Sequence, residues 1–174
     1  GVTQAHGCAV RADILMTARH VVEDERDGQV WLHVVWSDLA GNEGRAVTLN
    51  EDPARDIVTL RVLSGTLGRV YAFAASAPLA GSRVRIAGYD EDHPVKPRVV
   101  ETEVIGVDAG HVFYKKSPGP GSSGTCVLND ADEVVAINHG ARMKFDGSVQ
   151  FGQGVAVYGV WAPVLPPVVR EEEK

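Results

Sequence analysis

Three short stretches of this chain carry side chains whose types and settings suit chemistry by a hydroxyl nucleophile. His20 follows an apolar run that ends in Thr-Ala (Ile14-Leu15-Met16-Thr17-Ala18-Arg19-His20), so an imidazole opens the turn after a strand. The chain has six histidines, and a lone histidine is more often structural or exposed than functional. His20 gains weight only with partners. Asp56 stands at the head of Asp56-Ile57-Val58-Thr59-Leu60. An aspartate there is ordinarily a turn or edge residue, but at a strand mouth its carboxylate can point back under a neighbouring loop and hold an imidazole by one ring nitrogen. Ser123 lies in Gly121-Ser122-Ser123-Gly124-Thr125-Cys126-Val127. A serine nucleophile needs a tight turn that projects its hydroxyl and aims backbone N–H groups at one spot, and glycine permits such a turn. A Gly-Ser linker would have the same composition. Here an apolar strand follows at once, with a second strand after the turn at Asn129-Asp130.

The elements that must position these groups read as strands. Residues 8–10, 14–17, 30–35, 46–49, 57–62, 84–87, 99–105, 111–114, 126–128, 134–138 and 154–158 are short and rich in Val and Ile. Turn material such as Asp27-Gly28, Gly41-Asn42 and Asp146-Gly147 separates them. No apolar stripe of helical period reaches helical length, although residues 18–25 and 158–164 can each form one short turn. This spacing predicts an antiparallel all-β chain, a sandwich or barrels. Residues 74–81 form a softer segment that can join two β lobes, and the stretch from Pro163 is Pro-rich and then charged, like the start of a linker.

Composition narrows the partners. The chain has 174 residues, 44% of them hydrophobic and 23% charged, enough for one domain or two small lobes sharing an interface. A net charge of −6 argues against binding nucleic acid through phosphate neutralisation. No apolar run approaches the ~20 residues of a membrane span. Two cysteines, Cys8 and Cys126, are too few for a disulfide-stapled secreted domain. The plain expectation is two reduced, buried thiols, which favours a cytoplasmic over a secreted home. A zinc set of His6, Cys8, Cys126 and His139 lacks CxxC-type spacing, and no metal is expected.

Together the three stretches, in the order His, Asp, Ser, resemble the chymotrypsin-like (trypsin-like) serine peptidases. Thr17-Ala18-Arg19-His20 is similar to that family's Thr-Ala-x-His. Asp56-Ile57-Val58-Thr59-Leu60 resembles its Asp-Ile-Ala-x-Leu strand, and Gly121-Ser122-Ser123-Gly124 its Gly-x-Ser-Gly turn. The run from Ser123 to Asn138, and Arg85-Ile86-Ala87-Gly88-Tyr89, are similar to the bacterial glutamyl-endopeptidase and HtrA-type branches. The resemblance spans roughly residues 6–160. It implies two antiparallel six-stranded β-barrels with the active site in the cleft between them. The peptidase domain would be residues 1–165, with barrels at about 1–76 and 80–162 and a tail at 166–174. It also implies acyl transfer without a cofactor. Ser123 attacks a peptide carbonyl, His20 carries the proton, Asp56 fixes the imidazole tautomer, and the N–H groups of Gly121 and Ser123 form the oxyanion hole.

Departures from the pattern carry expectations of their own. Ser122 stands where animal trypsins carry an aspartate that receives a freshly cut N-terminus, so activation by that ion pair is unavailable. His6-x-Cys8 is similar to the animal enzymes' half of a disulfide beside the histidine, but its partner position is Val21. By resemblance, Ser117, Pro118, Asn138, His139 and Gly140 bind substrate. The Asn138–Gly140 backbone would pair with an extended peptide as an added strand. Asn138 and Pro118 replace the histidine and threonine of glutamyl endopeptidases, and Ser117 is neutral. A small or medium uncharged P1 residue is therefore expected first, and an acidic one drawn by Lys115 or Lys116 second. The alternative to an active endopeptidase is an inactive module on the same fold that binds peptides or docks partners. The acidic tail leaves room for a regulatory neighbouring domain.

Overall fold

A computed structural model describes residues 6–90, 93–119, 121–146 and 149–159, and in it the chain is all-β. The strands are β1 (Cys8–Arg11), β2 (Ile14–Ala18), β3 (His33–Ser37), β4 (Glu43–Asp52), β5 (Ile57–Val62), β6 (Arg83–Asp90), β7 (His93–Asp108), β8 (His111–Tyr114), β9 (Cys126–Leu128), β10 (Val134–Met143) and β11 (Val149–Ala156). The expected helical turn after β2 is a single 3-10 turn, Arg19–Val22. Residues from 160 onward, which carry most of the other expected turn and the whole tail, lie outside the described residues.

Strands β6 to β11 close into a six-stranded barrel in the order β10-β11-β8-β7-β6-β9. Short β9 completes it by pairing with β10 on one side and β6 on the other. Alternation decides what faces inward, since successive strand side chains point to opposite faces. On β8, Val112 and Tyr114 are fully buried between less buried neighbours. Several strands run longer than their apolar pattern. β7 extends beyond residues 99–105, and β11 covers 149–156 rather than 154–158. In β11 residues 149–153 lie before the expected strand, yet Gly152 and Gln153 pair with Tyr114 and Phe113, as Gly154 does with Val112. Ladder hydrogen bonds belong to the backbone and do not need apolar side chains.

The amino-terminal half departs from the expected second barrel. β1 to β5 form a five-stranded sheet in the order β1-β2-β5-β4-β3, with β1 and β3 at its edges. Among the described residues the irregular segment 63–82 meets β1 through the hydrogen bond from Tyr71 N–H to the Ala9 carbonyl at 2.9 Å. It then bridges at Phe73 to Val134 of the barrel. Ser, Gly and Pro make up 7 of the 19 residues at 64–82, and a stretch so interrupted does not sustain a ladder that would close the sheet.

One apolar cluster joins the two halves. Cys8, Val10, Ile14, Met16 and Ile57 of the sheet pack with Cys126, Val134, Ile137, Val155 and Val157 of the barrel side. Each buried aliphatic side chain of this kind contributes about 1.5–3 kcal/mol relative to exposure. A second cluster fills the barrel around Tyr114, Ile86 and Val127, and a third lies under the open sheet around Trp36, Leu60 and Val58.

The expectation of two reduced thiols is overturned. Cys8 of β1 and Cys126 of β9 form a disulfide across this shared core. Sequence reasoning excluded a bridge from Cys8 to position 21, which left each cysteine without its usual mate and a novel bridge to Cys126 as the alternative. The fold brings together two cysteines 118 residues apart in sequence. The bridge consumes half of the conceivable zinc set, and with it goes the ground on which a cytoplasmic home was favoured.

Candidate active site

The site forms where the 3-10 turn, the β4–β5 turn and the loop before β9 meet. β2 ends at Ala18 and the chain turns at once, which presents His20 beside Asp56. The His20 N–H donates to Asp56 Oδ1 at 2.8 Å, and His20 Nδ1 lies 2.6 Å from Asp56 Oδ2. Two bonds between one residue pair fix both the backbone and the ring. The Asp56 carbonyl also accepts the Arg19 N–H at 2.8 Å. Asp56 sits just before β5 with φ +58°, a left-handed conformation that aspartate tolerates better than most residues. That backbone kink turns its carboxylate back under the His20 turn, as the strand-mouth reading requires.

A third side chain reaches the same carboxylate. His139 Nε2 lies 3.1 Å from Asp56 Oδ2 and 2.8 Å from the Asp56 carbonyl, and its Nδ1 lies 3.0 Å from the Ile137 carbonyl. Burial works against a charge on Asp56, but hydrogen bonds from His139 and then His20 outweigh it and hold its carboxyl well below the usual range. Partial burial likewise works against a charge on His139. Its bonds to the Asp56 carboxylate and to the Ile137 and Asp56 carbonyls outweigh that and raise its pKa.

Glycine shapes the serine loop. Gly121 and Gly124 have φ +98° and +94°, so both glycines that bracket the two serines adopt backbone that side chains rarely take. A Cβ on Gly124 would meet the His6 carbonyl oxygen at 1.9 Å and Thr17 Oγ1 at 2.3 Å. Close approach as well as φ therefore demands glycine there. Ser122 is buried, its hydroxyl turned inward to the Gly119 carbonyl at 2.9 Å. The Ser123 hydroxyl donates to the His139 carbonyl at 3.3 Å rather than to the His20 ring. Catalytic hydrogen bonds are often long or misaligned without substrate. In the backbone pairing among the described residues, neither the Gly121 nor the Ser123 N–H is a donor.

The expected substrate-binding residues divide into two groups. His139 and Gly140 line a cavity of about 280 Å³ with Gly119, Gly121, Ser122, Ser123 and Ala141. Ser117, Pro118 and Asn138 are buried beneath it. The fully buried Asn138 side chain accepts from the Tyr114 hydroxyl and donates to Ser122 Oγ at 3.1 Å and the Ser122 carbonyl at 3.3 Å. Lys115 pairs with Glu103 at 2.9 Å, so its charge is already engaged. Gly119 falls in the stretch 115–121 that resemblance placed in the pocket wall, whereas two contributors escaped sequence reasoning. Ala141 has no chemical signature. His6, noticed for its spacing to Cys8 and as part of a conceivable zinc set, braces the serine loop by donating from its N–H to the Ser123 carbonyl (3.3 Å) and from Nδ1 to the Gly121 carbonyl (2.9 Å).

Comparison with known proteins decides the family. The family model described as the trypsin-like peptidase domain matches residues 5–137. The chain belongs to the trypsin-like peptidase family. Similar solved structures include the MamO protease domain from Magnetospirillum magneticum, 19% identical with a TM-score of 0.70 over 96% of this chain and 92% of that one. A Glu endopeptidase is 15% identical with a TM-score of 0.73 over 94% and 84%. The HtrA-type protease AlgW, solved with a decapeptide, is 17% identical with a TM-score of 0.67 over 87% of this chain and 47% of that one. At these identities the structures speak for the fold. Within the family, this chain sets a second imidazole on the aspartate beside its first histidine.

Proposed function

We propose that this chain is a serine endopeptidase, with Ser123 as nucleophile, His20 as general base and Asp56 as the group that fixes the His20 tautomer. The observation that carries this reading is the pair of hydrogen bonds from His20 to Asp56, one from the backbone N–H and one from Nδ1, which leaves His20 Nε2 as the ring's proton acceptor. In this role the Ser123 hydroxyl would leave the His139 carbonyl and give its proton to that nitrogen. Attack on a peptide carbonyl then gives a tetrahedral oxyanion, stabilised by the Gly121 and Ser123 N–H groups. His20 returns the proton to the leaving amine, and water hydrolyses the acyl-enzyme.

The substrate would bind as an extended strand beside residues 138–140; the HtrA-type protease AlgW, of similar fold, was solved with a decapeptide. A small or medium uncharged P1 side chain is proposed for the cavity of about 280 Å³, whose lining is glycines, serines, Ala141 and His139. The two β lobes around the site, at about 1–76 and 80–162, are proposed to act as one peptidase unit.

Labelling with a fluorophosphonate, followed by mapping of the modified residue, tests the reading directly. Covalent modification of Ser123 is expected. Absence of labelling together with retained peptide binding would favour an inactive peptide-binding module.

A further inference from the structure

His139 occupies a bulge. Asn138 pairs with Gly154 and Gly140 with Gln153, so one residue of β10 has no partner on β11. Bulges re-aim a side chain out of the regular alternation. Here the ring crosses to the opposite lobe, with only 10% of its side chain exposed. Its surroundings ask for protons on both nitrogens. Nδ1 faces the Ile137 carbonyl, and Nε2 faces the Asp56 carbonyl and carboxylate. None of these three groups can donate. A neutral imidazole has one N–H and would aim a lone pair at an oxygen on one side.

The charged and titratable groups around it come from each packed element. Asp56 faces it from the β4–β5 turn. His20 faces it from the 3-10 turn, with ring centroids 5.8 Å apart at 67°. From the serine loop the neutral Ser123 hydroxyl donates to the His139 carbonyl. Arg19 approaches Asp56 through its backbone N–H, and its guanidinium pairs with Glu23 and Glu51.

We propose that His139 is a positioning residue held as an imidazolium, which shares Asp56 Oδ2 with His20 and lowers the pH at which His20 becomes free to act as base. This rests on the roles proposed above for His20 and Asp56. The reason is electrostatic. A bare carboxylate attracts a second proton onto the neighbouring ring, which would disable it as a base. A cation bonded to the same oxygen cancels much of that attraction. Neutralisation of the carboxylate by His139 thus extends the active range toward acid. The two rings titrate as a coupled set.

The decisive measurements read the rings themselves. In the Ser123→Ala protein, long-range 1H–15N spectra at pH 7 are expected to show imidazolium shifts at both His139 nitrogens. His139→Gln keeps an amide donor and removes the charge. In that background the His20 titration is expected to move up by roughly 0.5–2 pH units, the range for a unit charge near 6 Å between watery and protein-like screening. The acid limb of kcat/KM should move by the same amount, whereas a purely structural role would lower the plateau and leave the limb in place. A neutral His139 at pH 7, or an unmoved His20 titration in the folded variant, overturns the proposal. Because the spectra do not need turnover, a failure of the endopeptidase reading shows separately, as no labelling of Ser123 in the unmutated protein.

Discussion

Ser122 and Ser123 are adjacent, yet the chain treats them differently. Both line the cavity, but Ser122 is buried with its hydroxyl turned inward while Ser123 is only half-buried. Ser123→Ala is therefore expected to abolish peptide cleavage with the fold intact. Ser122→Ala should keep substantial activity. It will cost some stability, because Asn138 Nδ2 loses one acceptor and keeps the Ser122 carbonyl. Peptide hydrolysis by the two purified variants checks this, and the reverse ranking would overturn the nucleophile assignment. Asp56→Asn should lower turnover by about 10⁴ near neutral pH, by analogy with the triad template. Asp52 supplies the control. Its carboxylate accepts from the Arg55 N–H at 3.2 Å and pairs with the Arg55 side chain at 3.5 Å within its own turn. Asp52→Asn is expected to be mild, and a crippled Asp52→Asn enzyme would refute the placement of Asp56.

At the scale of elements, β8 and β10 hold the floor of the cavity through one buried polar contact. The Tyr114 hydroxyl donates to Asn138 Oδ1, and desolvation raises the Tyr114 pKa well above its ordinary value. Tyr114→Phe deprives a buried acceptor of its main donor and should cost about 1–3 kcal/mol. Ser117 Oγ, at 3.5 Å, is placed too far to replace it. Denaturant unfolding measures the loss, and a neutral outcome would mean that the Asn138 carbonyl needs no donor. Much of this level was legible beforehand. Ten of the strands were found at or near their places because Val-rich runs between turn residues mark them. β11 was located but shifted, since Gln150, Gly152 and Gln153 carry no apolar side chain to mark a strand. A Cβ on Gly152 would strike the Tyr114 ring at 2.4 Å. Gly152 leaves room for the Tyr114 ring, whereas a Cβ on Gly154 would meet the Ile137 carbonyl at 2.7 Å.

For the whole molecule, the Cys8–Cys126 bridge ties the open sheet to the barrel three residues beyond Ser123. Closing a loop of this length restrains the unfolded chain strongly. Its removal, by Cys8→Ser with Cys126→Ser, should cost about 2–5 kcal/mol. Intact mass spectrometry of untreated protein is expected to show a mass two hydrogens below the reduced form, and free thiols without reduction would contradict the bridge. Charge at the lobe junction sets a pH window for stability. Asp56, with its pKa depressed, stabilises the fold above the ordinary carboxyl value of about 3.9 and loses that contribution as pH falls through its lower folded value. His139, with its pKa raised, contributes fully below the ordinary imidazole value of about 6.5 and loses it as pH rises through its folded value. Both contributions are present between roughly pH 4 and 6.5. The Tm deficit of His139→Gln should peak in that window and shrink in alkali. A deficit that grows with pH would reverse the sign of this linkage.

What the sequence determined by itself was local. Apolar runs of strand length, turn residues between them, two glycines around a serine and an aspartate before a strand are each readable within a dozen residues. Their physical causes, backbone conformation and side-chain alternation, act at that range. Tertiary structure decided whatever depends on segments far apart in the chain. It paired Cys8 with Cys126, left the amino-terminal sheet open where resemblance implied closure, and buried Asn138 that was expected to face substrate. It also brought His139 across 83 residues of sequence to Asp56. A bulge in one strand and a left-handed aspartate in another turn made that contact. Neither has a signature in the sequence, because each arises from how two lobes pack rather than from the residues on either side.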